Sequence, residues 1–173
     1  MGLSLEDQQK FNRIIHNNSD KIYGLFMKIT GNHDQADELT QRTFIKVHEK
    51  FDSFRGNSAI STWIYRIAIN VGKNYLRKEK AKNFISLDNI FNLPDDDSPD
   101  SNIDFKGKLQ KAISKLPTKQ HMVVLLRAFQ DLPYKQIGAI LGISENAAKA
   151  NYSHALNNLK KHLLKMGVKY GSL

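Results

Sequence analysis

Cysteine is absent from the 173 residues, so disulfides, thiolate zinc sites and cysteine nucleophiles are excluded together. No stretch reaches the ~18 consecutive apolar residues that a membrane span needs. The first residues, Met1 to Asp7, hold no basic segment leading into an apolar one, so no signal peptide is expected. The expectation is a soluble, cytoplasmic chain with no membrane insertion. A convincing strand pattern is missing as well: the short apolar run Val123-Val124-Leu125-Leu126 sits inside a helical period. There is no glycine-rich phosphate loop and no nucleophile motif. His16, His33, His48, His121, His154 and His162 are scattered, without metal-ligand spacing and a third ligand nearby. No metal, cofactor or catalytic residue is expected, and the chain does not read as an enzyme.

Acidic residues are few for the number of bases: 17 Asp and Glu face 26 Lys and Arg, a net charge of +9. That balance favours a polyanionic partner. The shortage is uneven. From Asn83 to Phe105 there is no Lys or Arg, while Asp88, Asp95, Asp96, Asp97, Asp100 and Asp104 fall there with Pro94 and Pro99. Such a composition reads as a tether. Outside it stand 26 basic residues against 11 acidic ones, so the flanking parts are more basic than the whole.

Helical spacing covers those flanks. Phe11, Ile14 and Ile15, then Ile22, Tyr23, Leu25, Phe26 and Ile29, mark residues 5–30 as one helix or as two broken at Asn17-Asn18-Ser19. Gly31-Asn32 stops it, and Asp34 is placed as the N-cap of a helix to Phe51. Asp37 and Glu38 complement that helix's dipole, and Ala36, Leu39, Phe44, Val47 and Phe51 form its apolar stripe. Residues 52–58 read as a loop, and Ser61 as the cap of a helix to about Lys82. Beyond the tether, helices are expected over Phe105–Leu116, Thr118–Gln130, Pro133–Leu141 and Glu145–Met166, with a turn at Gly142 and a cap at Ser144. The fold class is all-α: two small helical domains, 1–85 and 106–173, joined by a flexible acidic linker, 86–105.

Three constellations carry chemistry. On the helix after Ser61, the apolar residues Ile60, Ile64, Ile67, Ala68, Val71 and Tyr75 share a sector of about 100°. Arg66, Asn70, Lys73, Arg77 and Lys80 share an opposite one of about 80°, a basic ridge roughly 20 Å long. It suits a row of phosphates or is simply a solvated face. Before it, Phe54, Arg55, Gly56, Asn57 and Ser58 offer an aromatic, a guanidinium and amide or hydroxyl groups that can stack on and hydrogen-bond an unpaired base. In the other reading Phe54 tucks into the core, and Trp63 is core or wedge. In the second half, Pro133–Leu141, the turn at Gly142-Ile143 and the Ser144-capped helix form a helix-turn-helix. Ala148, Tyr152, Ala155 and Leu159 face its core. Asn146, Lys149, Ala150, Ser153, Asn157 and Lys160 point outward, flanked by Asn151 and His154, where amides can meet base edges. An ordinary helical corner is the alternative.

Asp34 to Phe44, then Phe54-Arg-Gly56 with Thr62 to Asn70 and Leu76-Arg-Lys78, resemble conserved region 2 of bacterial sigma factors, closest to the extracytoplasmic-function (ECF) group. Leu116-Pro117 through Leu163 resembles region 4. The resemblance implies a subunit that gives core RNA polymerase its promoter specificity and helps open the DNA. It implies that Asp34, Asp37, Glu38, Leu39, Gln41 and Phe44 dock on the β′ clamp helices. Phe54, Arg55, Gly56, Asn57, Ser58 and Trp63 would capture a base of the −10 element. Arg66, Asn70, Lys73, Asn74, Arg77 and Lys78 would hold the nearby backbone. Ser144, Asn146, Lys149, Asn151, Ser153 and His154 would read the −35 element, with the domain on the β flap. The partners implied are core RNA polymerase, promoter DNA and an anti-sigma factor. The family usually has an acid at Asn74 and cations near Asn151 and His154; it also has Glu and Ala where Gln136 and Gly138 stand. A stand-alone helix-turn-helix regulator and a protein-interaction adaptor are the competing readings.

Overall fold

Asn18 decides the first helix. Its side-chain amide donates to the Ile14 carbonyl one turn back (2.8 Å), so a residue that often breaks helices is satisfied inside one. Helix α1 therefore runs unbroken over Leu5–Thr30 rather than dividing at Asn17 to Ser19. Gly31, with φ of 64°, ends it in the left-handed conformation that favours glycine. The next cap is Asn32, not Asp34: its side chain accepts from the Gln35 amide (2.9 Å), and α2 covers His33–Glu49. The Asp34 carboxylate lies in the first turn instead, still at the favourable end of the dipole. A 3-10 turn, Phe51–Ser53, leads to the loop, and α3 spans Ile60–Ile85, with Ser61 inside it rather than capping it.

The computed structural model describes residues 5–85 and 101–168; the acidic segment 86–100 lies outside the described residues. Helix α4, Ser101–Ser114, begins four positions before Phe105. Helix α5, Thr118–Val124, continues as a π-helical turn, Leu125–Phe129, instead of running as one α-helix to Gln130. Helices α6, Tyr134–Leu141, and α7, Glu145–Lys165, complete the order. All regular elements among the described residues are helical.

Two apolar clusters hold these helices. One, built on Ala112, Ile113, Leu116, Val124, Ala155, Leu159 and Leu163, ties α4 and α5 to α7. The other starts with Ile22, Leu25, Phe26, Leu39, Val47, Ile64 and Ala68 from α1, α2 and α3. It does not stop at the boundary between the halves: Met122, Val123, Leu125, Leu126, Ile137 and Ile140 belong to it too. Tyr152 touches both clusters, as an inward-facing residue should, and its ring meets Tyr134 edge-on at 5.9 Å. The halves are thus packed on one another. The buried side of α3 is correspondingly wider than the sequence period predicts, because Tyr65, Ile69 and Gly72 are buried beside the expected stripe.

Candidate nucleic-acid interface

The ridge on α3 is present. Arg66, Asn70, Asn74, Arg77 and Lys78 are exposed, and Lys73 is half-buried. The anchor behind it is Ile64, Ala68 and Val71, all buried. At its head the 3-10 turn is tied off by Ser53, whose hydroxyl donates to the Lys50 carbonyl (2.6 Å). Phe54 follows, half-buried, its ring 5.2 Å from that of Trp63 and tilted by 45°. Both readings of Phe54 meet here: it is partly tucked in, yet only against another half-buried aromatic. Arg55, Gly56 and Asn57 are exposed and Ser58 half-buried. Gly56 has φ of 72°, a conformation that side chains resist. The loop therefore presents a guanidinium and an amide above an aromatic pair, a surface that can stack and hydrogen-bond a single base.

Helix α2 lies alongside. Asp34, Asp37, Glu38 and Gln41 are exposed, with Gln41 Nε2 donating to Asp37 Oδ2 (3.0 Å) and Arg42 paired to Glu38 (2.9 Å). Leu39 and Phe44 are buried and set the helix in place from within. The apolar residue that α2 does expose is Ile45, 59% accessible, which the helical period gives only as a position off the stripe. Gln35 accepts a hydrogen bond from the Tyr75 hydroxyl (2.6 Å) and fixes α2 to the ridge helix. Burial, then the nearby carboxylates of Glu79 and Glu38, raise the Tyr75 pKa, so the phenol stays protonated as the donor. Between α2 and α3 runs an open groove of about 600 Å³ whose lining includes Glu38, Arg42, Ile45, Asn74, Arg77 and Lys78.

The helix-turn-helix is formed as expected. Gly142 turns with φ of 69°, and the Ser144 hydroxyl accepts from the Ala147 amide (3.1 Å) as the cap of α7. Gly138 lets the turn close tightly: a Cβ there would come within 2.7 Å of the Ile143 carbonyl oxygen. Asn146, Lys149, Ser153 and His154 are exposed on α7. Lys149 pairs with Glu145 (2.9 Å). Asn151 is half-buried and its amide donates back to the Ala147 carbonyl (2.8 Å), so that donor is already engaged.

Sequence reasoning missed the seam between the halves. Arg66 Nε donates to the Ala139 carbonyl on α6 (2.8 Å), and the Gln136 side-chain amide to the Thr62 hydroxyl (3.2 Å). The Tyr65 hydroxyl donates to Gln130 Oε1 (2.7 Å), and burial pushes its pKa up to about 12. The available signal was Tyr65, Ile69 and Gly72, two apolar residues and a glycine lying between the apolar sector and the ridge. Among the described residues no group of His, Asp and Glu could hold a metal ion, and no helix is long and apolar enough to cross a membrane.

Known proteins share this arrangement. Sigma-70 region 2 matches residues 14–82, and Sigma-70 region 4 matches residues 106–159. The ECF RNA polymerase sigma factor SigW of Bacillus subtilis is 30% identical over 171 residues, 91% of this chain and 90% of SigW. The ECF RNA polymerase sigma-E factor of Escherichia coli K12 is 31% identical over 147 residues, 78% of this chain and 76% of that protein. In fold, the chain is similar to the sigma factor RpoE from Bartonella quintana, solved with the anti-sigma factor NepR. The TM-score is 0.67 at 23% identity, covering 91% of this chain and 98% of that one. It is equally similar to CnrH, solved with the cytosolic domain of CnrY: TM-score 0.67 at 18% identity, covering 93% and 91%.

Proposed function

The chain belongs to the RNA polymerase sigma factors of the ECF group, and we propose a specific division of its surface among polymerase and promoter. Its function is promoter-specific transcription initiation. The loop Phe54–Ser58, with Trp63 beneath it, takes a base of the −10 element. Arg66, Asn70, Lys73, Asn74, Arg77 and Lys78 hold phosphates and the duplex edge beside it. On α7, Asn146, Lys149, Ser153 and His154 meet the −35 element, Asn151 acts by bracing the helix, and Ser144 shapes the start. On α2, Asp34, Asp37, Glu38 and Gln41 dock on the β′ clamp helices, carried by the buried Leu39 and Phe44, and the second domain sits on the β flap. The observation that carries this reading is the exposed basic ridge headed by the Phe54–Trp63 pair. A ridge of cations tracks phosphates while an aromatic pair beside a flexible loop receives an unpaired base.

Catalysis belongs to the polymerase, and the chain acts within the cytoplasm as a dissociable subunit. An anti-sigma factor is a further partner; the similar sigma factor RpoE of Bartonella quintana was solved in complex with the anti-sigma factor NepR, which supports this reading. In vitro transcription with purified core polymerase on a genomic promoter library tests the role. Promoter-specific transcripts and co-purification with core are expected; neither appearing would refute it. A stand-alone helix-turn-helix regulator would instead dimerise and bind specific duplex without polymerase.

A further inference from the structure

We propose that the chain binds a small amphipathic carboxylate, a short acyl chain or single aromatic ring with one acidic head, in the cavity between α1, α4 and the π-helical turn Leu125–Phe129. The site lies outside the surfaces assigned above to promoter and polymerase, so the inference goes beyond that reading and does not depend on it. It starts from Phe129. In a continued α-helix, Phe129 would follow the buried Leu126 and Leu125 by three and four positions and share their inward face. The wider π-helical turn breaks that spacing, a backbone departure that is frequent at functional sites. The ring is 39% exposed and lines a cavity instead of joining the core.

That cavity holds about 260 Å³. Its walls are Met27 from α1, Leu109 and Ile113 from α4, and Leu125 with Phe129. Water occupies a buried space that offers it several polar partners, and these walls offer few. One side is closed by Gln110, whose side-chain amide lies so near the Gly31 backbone that a Cβ there would come within 2.6 Å of it. The charged groups of the lining are Lys28 and Lys106, both exposed, and no carboxylate in the lining balances them. Lys28 Nζ stands 4.9 Å from the centre of the Phe129 ring, so positive charge is held beside the apolar wall. Apolar walls with a few convergent polar groups are what a small-molecule site needs, the walls for affinity and the polar groups for orientation. An apolar body fits against Met27, Ile113 and Phe129 while its carboxylate meets the two ammonium groups. The volume falls just below the roughly 300–1,000 Å³ of sites for drug-sized molecules, which limits the body to a short chain or one ring.

Octanoate and phenylacetate are the probes; acetate carries the head without the body, and octanol the body without the head. Titrated into the full chain by calorimetry, the two acids are expected to bind with Kd on the order of 100 µM, and acetate and octanol at least tenfold more weakly. Met27 reports the place. With the methionine methyls labelled, the resonance that disappears in Met27→Leu should move when octanoate is added to the wild type. Lys28→Gln with Lys106→Gln changes two exposed side chains, so it should leave the ellipticity as it is while weakening both acids at least tenfold. The thermal midpoint should rise with octanoate concentration in the wild type and stay level in the double variant. No binding of either acid, octanol binding as tightly as octanoate, an unmoved Met27 resonance, or full affinity in the double variant overturns the proposal. All these readings are made without polymerase, so a failure of promoter-specific transcription would count against the sigma reading alone.

Discussion

His121 is a buried group that reports on packing at the level of a single proton. It is 4% exposed, and its Nε2 has no hydrogen-bond partner among the described residues. Burial, with the nearby Lys80 charge on α3 as the smaller cause, lowers its pKa from 6.5 to about 4. The native state therefore holds fewer protons than the unfolded chain between those values. The stability of the neutral imidazole is complete above pH 6.5 and drains away as the pH falls toward 4, by about 3 kcal/mol at most. Denaturant midpoints measured across this range should drop in the wild type, and the drop should flatten in His121→Leu. An unchanged slope in that variant would mean that other groups carry it. A second prediction at this scale concerns the ridge. Lys73→Ala should weaken all promoters alike and lower the logarithmic salt slope of holoenzyme binding by about one. Asn57→Ala should alter base preference at one −10 position while leaving the slope unchanged. Footprinting across promoter variants at several salt concentrations separates the two, and a preference change on replacing Lys73 would contradict the assignment.

Among the elements, α7 gives the cleanest test, because its cap is one side-chain bond. Ser144→Ala removes the acceptor for the Ala147 amide and should cost about 1 kcal/mol. Fraying there displaces Asn146 and Lys149, so promoters dependent on the −35 element should lose activity while those relying on the −10 element change little. Thermal melting and paired promoter assays read the two effects. The cap and the Gly142 turn were legible in the sequence because both act through local chemistry that one or two residue types supply. The outward face of α7 was legible too, since periodicity fixes it. Local chemistry failed where tertiary packing or a competing bond intervened. Asn17 to Ser19 resembled a break, but the Asn18 amide closed on Ile14 and the core residues on either side kept α1 whole. The π-helical turn at Leu125–Phe129 adds no change in apolar pattern, so nothing in the sequence marks it. Asn151 looked available for base contact; its bond to Ala147 is visible only in three dimensions.

For the whole molecule, the deciding feature is a core that ignores the domain boundary. Separate patterns of helices on either side of an acidic tether read as two independent domains, and each half does have its own packed helices. The sequence carried the contact between them only as Tyr65, Ile69 and Gly72, whose burial depends on residues sixty or so positions away. With Met122, Leu125, Leu126 and Ile137 shared in one cluster with Phe26 and Ile64, loosening one half exposes the other. The free chain should therefore unfold in urea as one cooperative unit. Trp63 is the only tryptophan and lies in the first half, so its fluorescence reports that half, while ellipticity reports all helices. Coincident midpoints are expected for the wild type. Ile69→Ala removes buried apolar contact at the seam, and a cost of about 2–5 kcal/mol is typical of such truncation. In that variant the fluorescence and ellipticity transitions should separate, as the halves lose their coupling before either loses its helices. Two distinct midpoints already in the wild type would show that the halves are energetically independent despite the shared cluster.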